Sequence, residues 1–275
     1  MTTPFTCTLD DRAVISISGE DARSLLQGLV TVDMDRLEQS GHVFGALLAP
    51  QGKIQFDFFI HAKGDDFLID IDQTRAADFL KRMMMYKLRS KVALADVSQA
   101  NHVVVAWGDN GDGAPDARLE AMGSRIINNE KPAASATVHD YHNHRISLGV
   151  PEGGKDFAFD DIFPHDAMMD VLAGVDFKKG CYVGQEVVSR VHHRATARKR
   201  FYIINSSQPL PEAGGTVMLG DKAVGGFAMA QGTCALGLLR MDKVEESDGN
   251  LSIDGMDIKA VLPDYFVKFQ AEKAS

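Results

Sequence analysis

The spacing of apolar positions changes character several times along the chain, and each change predicts an element. Arg12 to Ser18 (RAVISIS) alternates apolar and polar residues, which predicts a half-buried strand. Ser18-Gly19-Glu20-Asp21 predicts a helix start with acidic residues in the first turn, where the dipole favours them. Ala22, Leu25, Leu26 and Leu29 supply the buried stripe of that helix. His42 to Leu48, Lys53 to Ile60 and Asp66 to Ile71 predict strands, with turns at Pro50-Gln51-Gly52 and Lys63-Gly64-Asp65. Asp72 is the expected cap of a second helix reaching about Tyr86, with Ala76, Leu80, Met83 and Met84 on one apolar face. The run Met83 to Met85 reads as core packing, since methionine fills irregular gaps. Lys91 to Val97 and His102 to Trp107 return to a β pattern.

Asp109 to Asp116 (DNGDGAPD) has the composition of a solvated loop and lacks the terminal Glu of a calcium loop. After about Lys199 the texture changes. Arg200 to Asn205, Thr216 to Leu219, Ala223 to Ala230, Cys234 to Leu239 and Asp257 to Leu262 are short β-like runs punctuated by Gly and Pro. They predict a small antiparallel barrel or sandwich. The expected organisation is α+β over 1–198 and all β over 199–275, with the boundary near 198–200.

Composition narrows the function. The 275 residues suit two or three modest cores, and 45% hydrophobic with 24% charged residues is ordinary for a soluble globular chain. A net charge of −9 works against non-specific attraction to nucleic acid. Met1 to Asp11 has neither a basic n-region nor an Arg-rich, acid-poor transit composition, and no stretch approaches ~20 apolar residues. The expected setting is therefore cytoplasmic, without a membrane span. Cys7, Cys181 and Cys234 are scattered and odd in number, which argues against a disulfide framework or a structural zinc site. Three such thiols are also too few for a complete iron–sulfur cluster, which takes about four ligands. His139, His142 and His144, in an expected loop or strand, and His192-His193 read as surface histidines, so no metal site is expected.

The segment Asp161 to Arg200 carries the strongest signal, above all Lys178-Lys179-Gly180-Cys181-Tyr182-Val183-Gly184-Gln185-Glu186. It places one thiol after two lysines and a glycine, before a stretch (Gln185 to Val191) able to start a helix. Cations and a helix N-terminus favour the thiolate, while Gly180 and Gly184 let a ligand approach the backbone. The alternative is a small buried cysteine in an ordinary turn. Arg190, Arg194 and Arg198 recur every four residues, which on a helix would align them; with Lys199 and Arg200 they form the clearest basic cluster. They suit an anionic tail, an acidic partner or a solvated face.

The motif KGCYVGQE resembles the Lys-Gly-Cys-(Phe/Tyr)-x-Gly-Gln-Glu signature of the YgfZ folate-binding proteins. Gly19 to Asp33, Leu48 to Asp57, Tyr86 to Asp96 and Ile162 to Phe177 resemble further segments of that family, in the family's order, so the resemblance runs from about residue 10 to 205. It implies an α+β, three-module ring shared with the glycine-cleavage aminomethyltransferases (a GcvT/YgfZ-like fold), closed by the C-terminal barrel, with tetrahydrofolate in a central hole. It also implies support of iron–sulfur proteins or their assembly factors, including radical enzymes that modify tRNA, rather than a settled reaction. Lys179, Gly180, Cys181, Gly184, Gln185 and Glu186 carry the motif, with Cys181 as the reactive group. Asp166, in Pro164-His165-Asp166, falls where the family has a pterin-facing acid; Asp could instead cap a helix from Ala167 to Leu172. Asp57 falls where the aminomethyltransferases have an acid near the folate nitrogen, so it is expected to bind folate and, in a one-carbon transferase, to act in catalysis. Arg194 is the expected partner of the folate tail. The competing readings are such a transferase and a docking module for RNA or protein.

Overall fold

The computed structural model describes residues 4–108, 113–194 and 197–274. They form two compact units, one of 1–141 with 172–185 and the other of 142–171 with 186–275. Asp109 to Asp112 of the expected acidic loop lie outside the described residues, as do Ala195 and Thr196 within the basic run.

The first unit contains β1 (Phe5–Thr8), β2 (Arg12–Ser18), α1 (Ala22–Leu29), α2 (Leu37–Ser40), β3 (His42–Leu48), β4 (Ile54–Lys63), β5 (Asp66–Asp72), α3 (Ala76–Lys87), β6 (Ala93–Asp96), β7 (His102–Trp107) and β8 (Ser124–Asn128). A five-stranded antiparallel sheet has the order β3-β4-β5-β2-β6, and a three-stranded one the order β1-β7-β8. Strand alternation assigns the two faces of the larger sheet. Ile15 and Ile17, Phe56 and Phe58, and Ile69 and Ile71 pack with Leu26 of α1 and Phe79 of α3 in one apolar core. The opposite face carries Asp70, which is fully buried between Arg12 Nε (2.6 Å) and Arg125 Nε of β8 (2.6 Å). Tyr141 accepts hydrogen bonds from Arg125 (3.1 Å) and Arg118 (2.9 Å), and both guanidinium groups lie over the Phe59 ring. The buried charge is thereby paired and hydrogen-bonded, as its desolvation demands.

The helix α4 (Val138–Ser147) crosses from the first unit into the second. The second then holds α5 (Gln185–Arg194, from Glu186 onward), β9 (Lys199–Ser206), β10 (Gly215–Leu219), β11 (Lys222–Gln231), β12 (Cys234–Arg240), α6 (Met241–Glu246), β13 (Asn250–Ile253), β14 (Met256–Val261) and α7 (Asp264–Ala274). Its six strands close an antiparallel barrel in the order β10-β11-β12-β9-β14-β13, sealed by Met218 opposite Ser252. Tyr202, Ile204, Val217, Leu239 and Ile258 fill it. The segment 142–171 fastens to this barrel through Arg200 of β9, which grips both oxygens of Asp170 (2.7 and 2.8 Å). The barrel starts at Lys199, yet its compact unit also takes 142–171 and 186–198. Among the described residues no helix is long and apolar enough to cross a membrane.

Several local expectations change. α1 starts at Ala22, past Glu20 and Asp21, so its first turn holds no acid, and the Asp21 side chain accepts from the Lys91 amide (2.7 Å) rather than capping the helix. Asp72 caps a short 3-10 turn, Gln73–Arg75, ahead of α3. Of the three methionines only Met83 is core; Met84 and Met85 face outward on the far side of the helix. The histidine-rich run is helix rather than loop or strand, with His142 buried and accepting from Arg145 Nε (3.4 Å). Residues 167–172 form turns, not a helix, with Met168 at positive φ. α5 ends at Arg194, so Arg198 falls beyond the helical face assigned to it.

Candidate functional site

The motif loop is built on the end of α1. A helix leaves its last carbonyls without intrahelical donors, and the chain after α1 adds more. The Lys179 ammonium turns inward and donates to Gln27 O (2.8 Å), Val30 O (2.6 Å) and Val32 O (3.0 Å), matching its three donors to three acceptors. Burial pulls this lysine down to about 8, although Asp33 and Asp176 favour its charged form. The cation expected beside the thiol is thus engaged inside the unit, and Lys178 is the exposed neighbour.

Two further groups fix the loop. The Asp176 carboxylate accepts from the amides of Lys178 (2.8 Å) and Lys179 (3.2 Å), closing a tight turn. Thr31 is the junction. Its hydroxyl donates to Gly174 O (2.6 Å) and accepts from the Ala46 amide (2.9 Å), while its backbone bonds Ala46 O and the Asp176 amide. Thr31 opens the Thr31-Val32-Asp33 segment, and that pattern is what in the sequence alone marks it.

From this anchored base Cys181 projects into solvent, followed by Tyr182, whose ring is buried and whose hydroxyl is pushed up to about 12 by that burial. Gly184 has φ +80°, and a Cβ there would lie 2.7 Å from Ala49 O. Only glycine lets the loop approach the end of β3 so closely. Gly180 differs, since a Cβ there would meet nothing within 4 Å. Gln185 begins α5, and Glu186 is exposed and paired with Arg190.

Asp57 sits on β4 opposite Ala46, the residue Thr31 holds, and is 4% exposed. Alternation places it on the same sheet face as Phe59 and His61. Lys179, Gly180, Cys181, Gly184, Gln185 and Asp57 therefore share the first unit, whereas Asp166, Glu186 and Arg194 belong to the second. Asp166 is half-buried, accepts from the Phe163 amide (3.1 Å), and is raised by burial against the pull of that hydrogen bond. Arg194 is exposed at the end of α5.

The C-terminal barrel matches the family model described as "CAF17, C-terminal beta-barrel domain" over residues 198–268. The fold resembles that of the crystal structure of glycine cleavage system aminomethyltransferase T from Bartonella henselae, with a TM-score of 0.72 over 94% of this chain and 85% of that one at 12% identity. An iron-sulfur cluster assembly factor IBA57 homolog from Mycosarcoma maydis is 36% identical over 231 residues, which cover 72% of this chain and 57% of that protein. The chain belongs to the YgfZ-like family that includes IBA57. The mouse iron-sulfur cluster assembly factor IBA57 is 28% identical over 95% of this chain and 86% of its own. A Neurospora crassa homolog is 32% identical over 70% of this chain. This YgfZ-like chain spans only about half the length of the first fungal relatives, 57% and 51%.

The sheet face that holds Asp57 in this YgfZ-like protein also holds a stacked imidazole pair, His42 and His61, with ring centroids 5.0 Å apart. Burial lowers both, His61 to about 3, so both rings stay neutral at ordinary pH.

Proposed function

We propose that this YgfZ-like protein is a tetrahydrofolate-binding accessory factor that supports assembly or repair of iron–sulfur proteins, among them tRNA-modifying radical enzymes. One observation carries the reading: a solvent-facing thiol, Cys181, on a loop locked from beneath by the buried Lys179. An accessory factor must offer its reactive group to a large partner, and an exposed sulfur on a rigid base does so. The relatives' names, iron-sulfur cluster assembly factors, point the same way. Those relatives are named as mitochondrial, whereas a cytoplasmic setting for this chain is part of the proposal.

The residues fit a folate in chemical type. A pterin presents adjacent N–H donors that suit a carboxylate in a two-point pair, and half-buried Asp166, raised by burial, has acceptor capacity left after its one bond from Phe163. Exposed Arg194 suits the anionic tail. Bound folate would supply one-carbon chemistry. Cys181→Ala is expected to fold normally and to fail in restoring iron–sulfur enzyme activity to cells lacking this chain; full restoration would remove the thiol from the function. Calorimetric titration with tetrahydrofolate is expected to show binding that Asp166→Ala weakens.

A second reading, aminomethyl or other one-carbon transfer, is favoured by Asp57, a carboxylate buried in the middle of β4. Incubation with tetrahydrofolate and amine donors would yield methylene-tetrahydrofolate if it holds.

A further inference from the structure

The turn after α3 presents an apolar side chain to solvent from a strained backbone. Leu88 is 83% exposed and sits at φ 44°, ψ −105°, a region that residues with a Cβ rarely occupy. Its neighbours impose the conformation. Lys87 Nζ donates to Val92 O (2.7 Å), the Ser90 amide to Lys87 O (2.7 Å), and the Lys91 amide to the Asp21 carboxylate (2.7 Å). The turn before α1 presses against this strap, since a Cβ at Gly19 would lie 2.3 Å from Lys91 O.

Three features surround Leu88. Met84 and Met85 at the end of α3 are 55% and 60% exposed, extending the apolar tip. A depression of about 720 Å³ is lined by Asp21, Tyr86, Lys87, Leu88, Arg89 and Ser90. Lys81, Arg82 and Arg89 lie around the tip, and among the described residues none of the three is in an ion pair. Of the nearby acids, Asp78 is paired with Arg75 and Glu20 with Lys91, while Asp21 accepts from the Lys91 amide. This is a cationic, apolar promontory on a chain of net charge −9.

We propose that this tip is a docking surface for an acidic amphipathic helix of a partner protein. Leu88, Met84 and Met85 would enter its apolar face, methionine adapting to side chains of varied shape. Carboxylates along its edge would meet Lys81, Arg82 and Arg89, giving orientation and rate. Exposed methionine and leucine, rather than exposed aromatic rings, favour a protein over single-stranded nucleic acid, which is held by stacking on aromatic side chains. The surface is independent of Cys181 and of folate.

The test is fluorescence anisotropy of the full chain with a synthetic peptide of about 18 residues whose Leu and Glu recur at helical spacing, and with single-stranded RNA of like length. Binding of the peptide is expected to weaken about 10-fold or more in Leu88→Gly and in Arg89→Glu, and to lose salt dependence in the latter. Val267→Ser, at an exposed apolar site on α7, should leave it unchanged. Leu88→Gly should also raise the melting temperature, because glycine takes the positive φ without strain; loss of binding in a more stable protein separates docking from folding. No peptide binding, equal binding by the Leu88→Gly variant, or tighter binding of the RNA would each overturn the proposal.

Discussion

At the scale of single residues, the motif divides into parts that hold the loop and parts that face outward. Gly184→Ala would place a methyl 2.7 Å from Ala49 O at φ +80°. Its expected effect is a loss of about 1–3 kcal/mol in urea unfolding. Gly180→Ala meets only open space, so its stability is expected to change by less than about 0.5 kcal/mol. A Gly180 variant that folds normally but no longer supports cluster enzymes would locate the approach of a partner beside the thiol. Lys179→Met keeps the apolar stem but removes the donors to Gln27, Val30 and Val32. With three hydrogen bonds lost, it is expected to cost about 3 kcal/mol, read as a lower urea midpoint, together with faster amide exchange in the loop.

At the scale of elements, the β3–β4 hairpin sets an acid limit on the fold through His42 and His61. The unfolded chain binds a proton at each histidine near pH 6.5, whereas buried His61 resists protonation until about 3. Between those values the unfolded state holds the extra proton, so stability falls as pH drops, by about 1.4 kcal/mol per pH unit for this residue, and levels off below. In urea titrations from pH 7 to 4, His61→Phe is expected to flatten that slope; an unchanged slope would show that other groups set it. The strands themselves were legible because their signals are local. Period-two alternation marks the bounds of β2 to the residue, although burial on both faces replaces the expected half-buried strand. The apolar run from His102 to Trp107 marks β7, and glycine and proline punctuate the barrel. α4 was not, since its apolar positions show little period, although Thr137 and Asp140 form a reciprocal cap that the sequence displays. The Arg12–Asp70–Arg125 cluster was invisible for another reason: residues far apart in sequence meet only when strands stack. The inward turn of Lys179 likewise depends on carbonyls left over at the end of a distant helix.

At the scale of the molecule, the two compact units interleave in sequence, and the motif loop 172–185 ends where the chain passes from the first to the second at Gln185 and Glu186. The barrel closes where β10 meets β13 at Met218 opposite Ser252, so β10 and β13 do not flank an open sheet. The three cysteines are distributed over this architecture unequally. Cys7 is buried and pushed up to about 11 by that burial, Cys234 is half-buried and also raised by burial, and Cys181 alone is exposed. A colorimetric thiol assay at neutral pH is therefore expected to find one fast-reacting sulfhydryl per native chain and three in denaturant; fast release of three from native protein would contradict the burial. Nature has in effect left a single attachment point, so a maleimide dye or spin label can be set on the motif loop of the unmodified chain, without first engineering the others away.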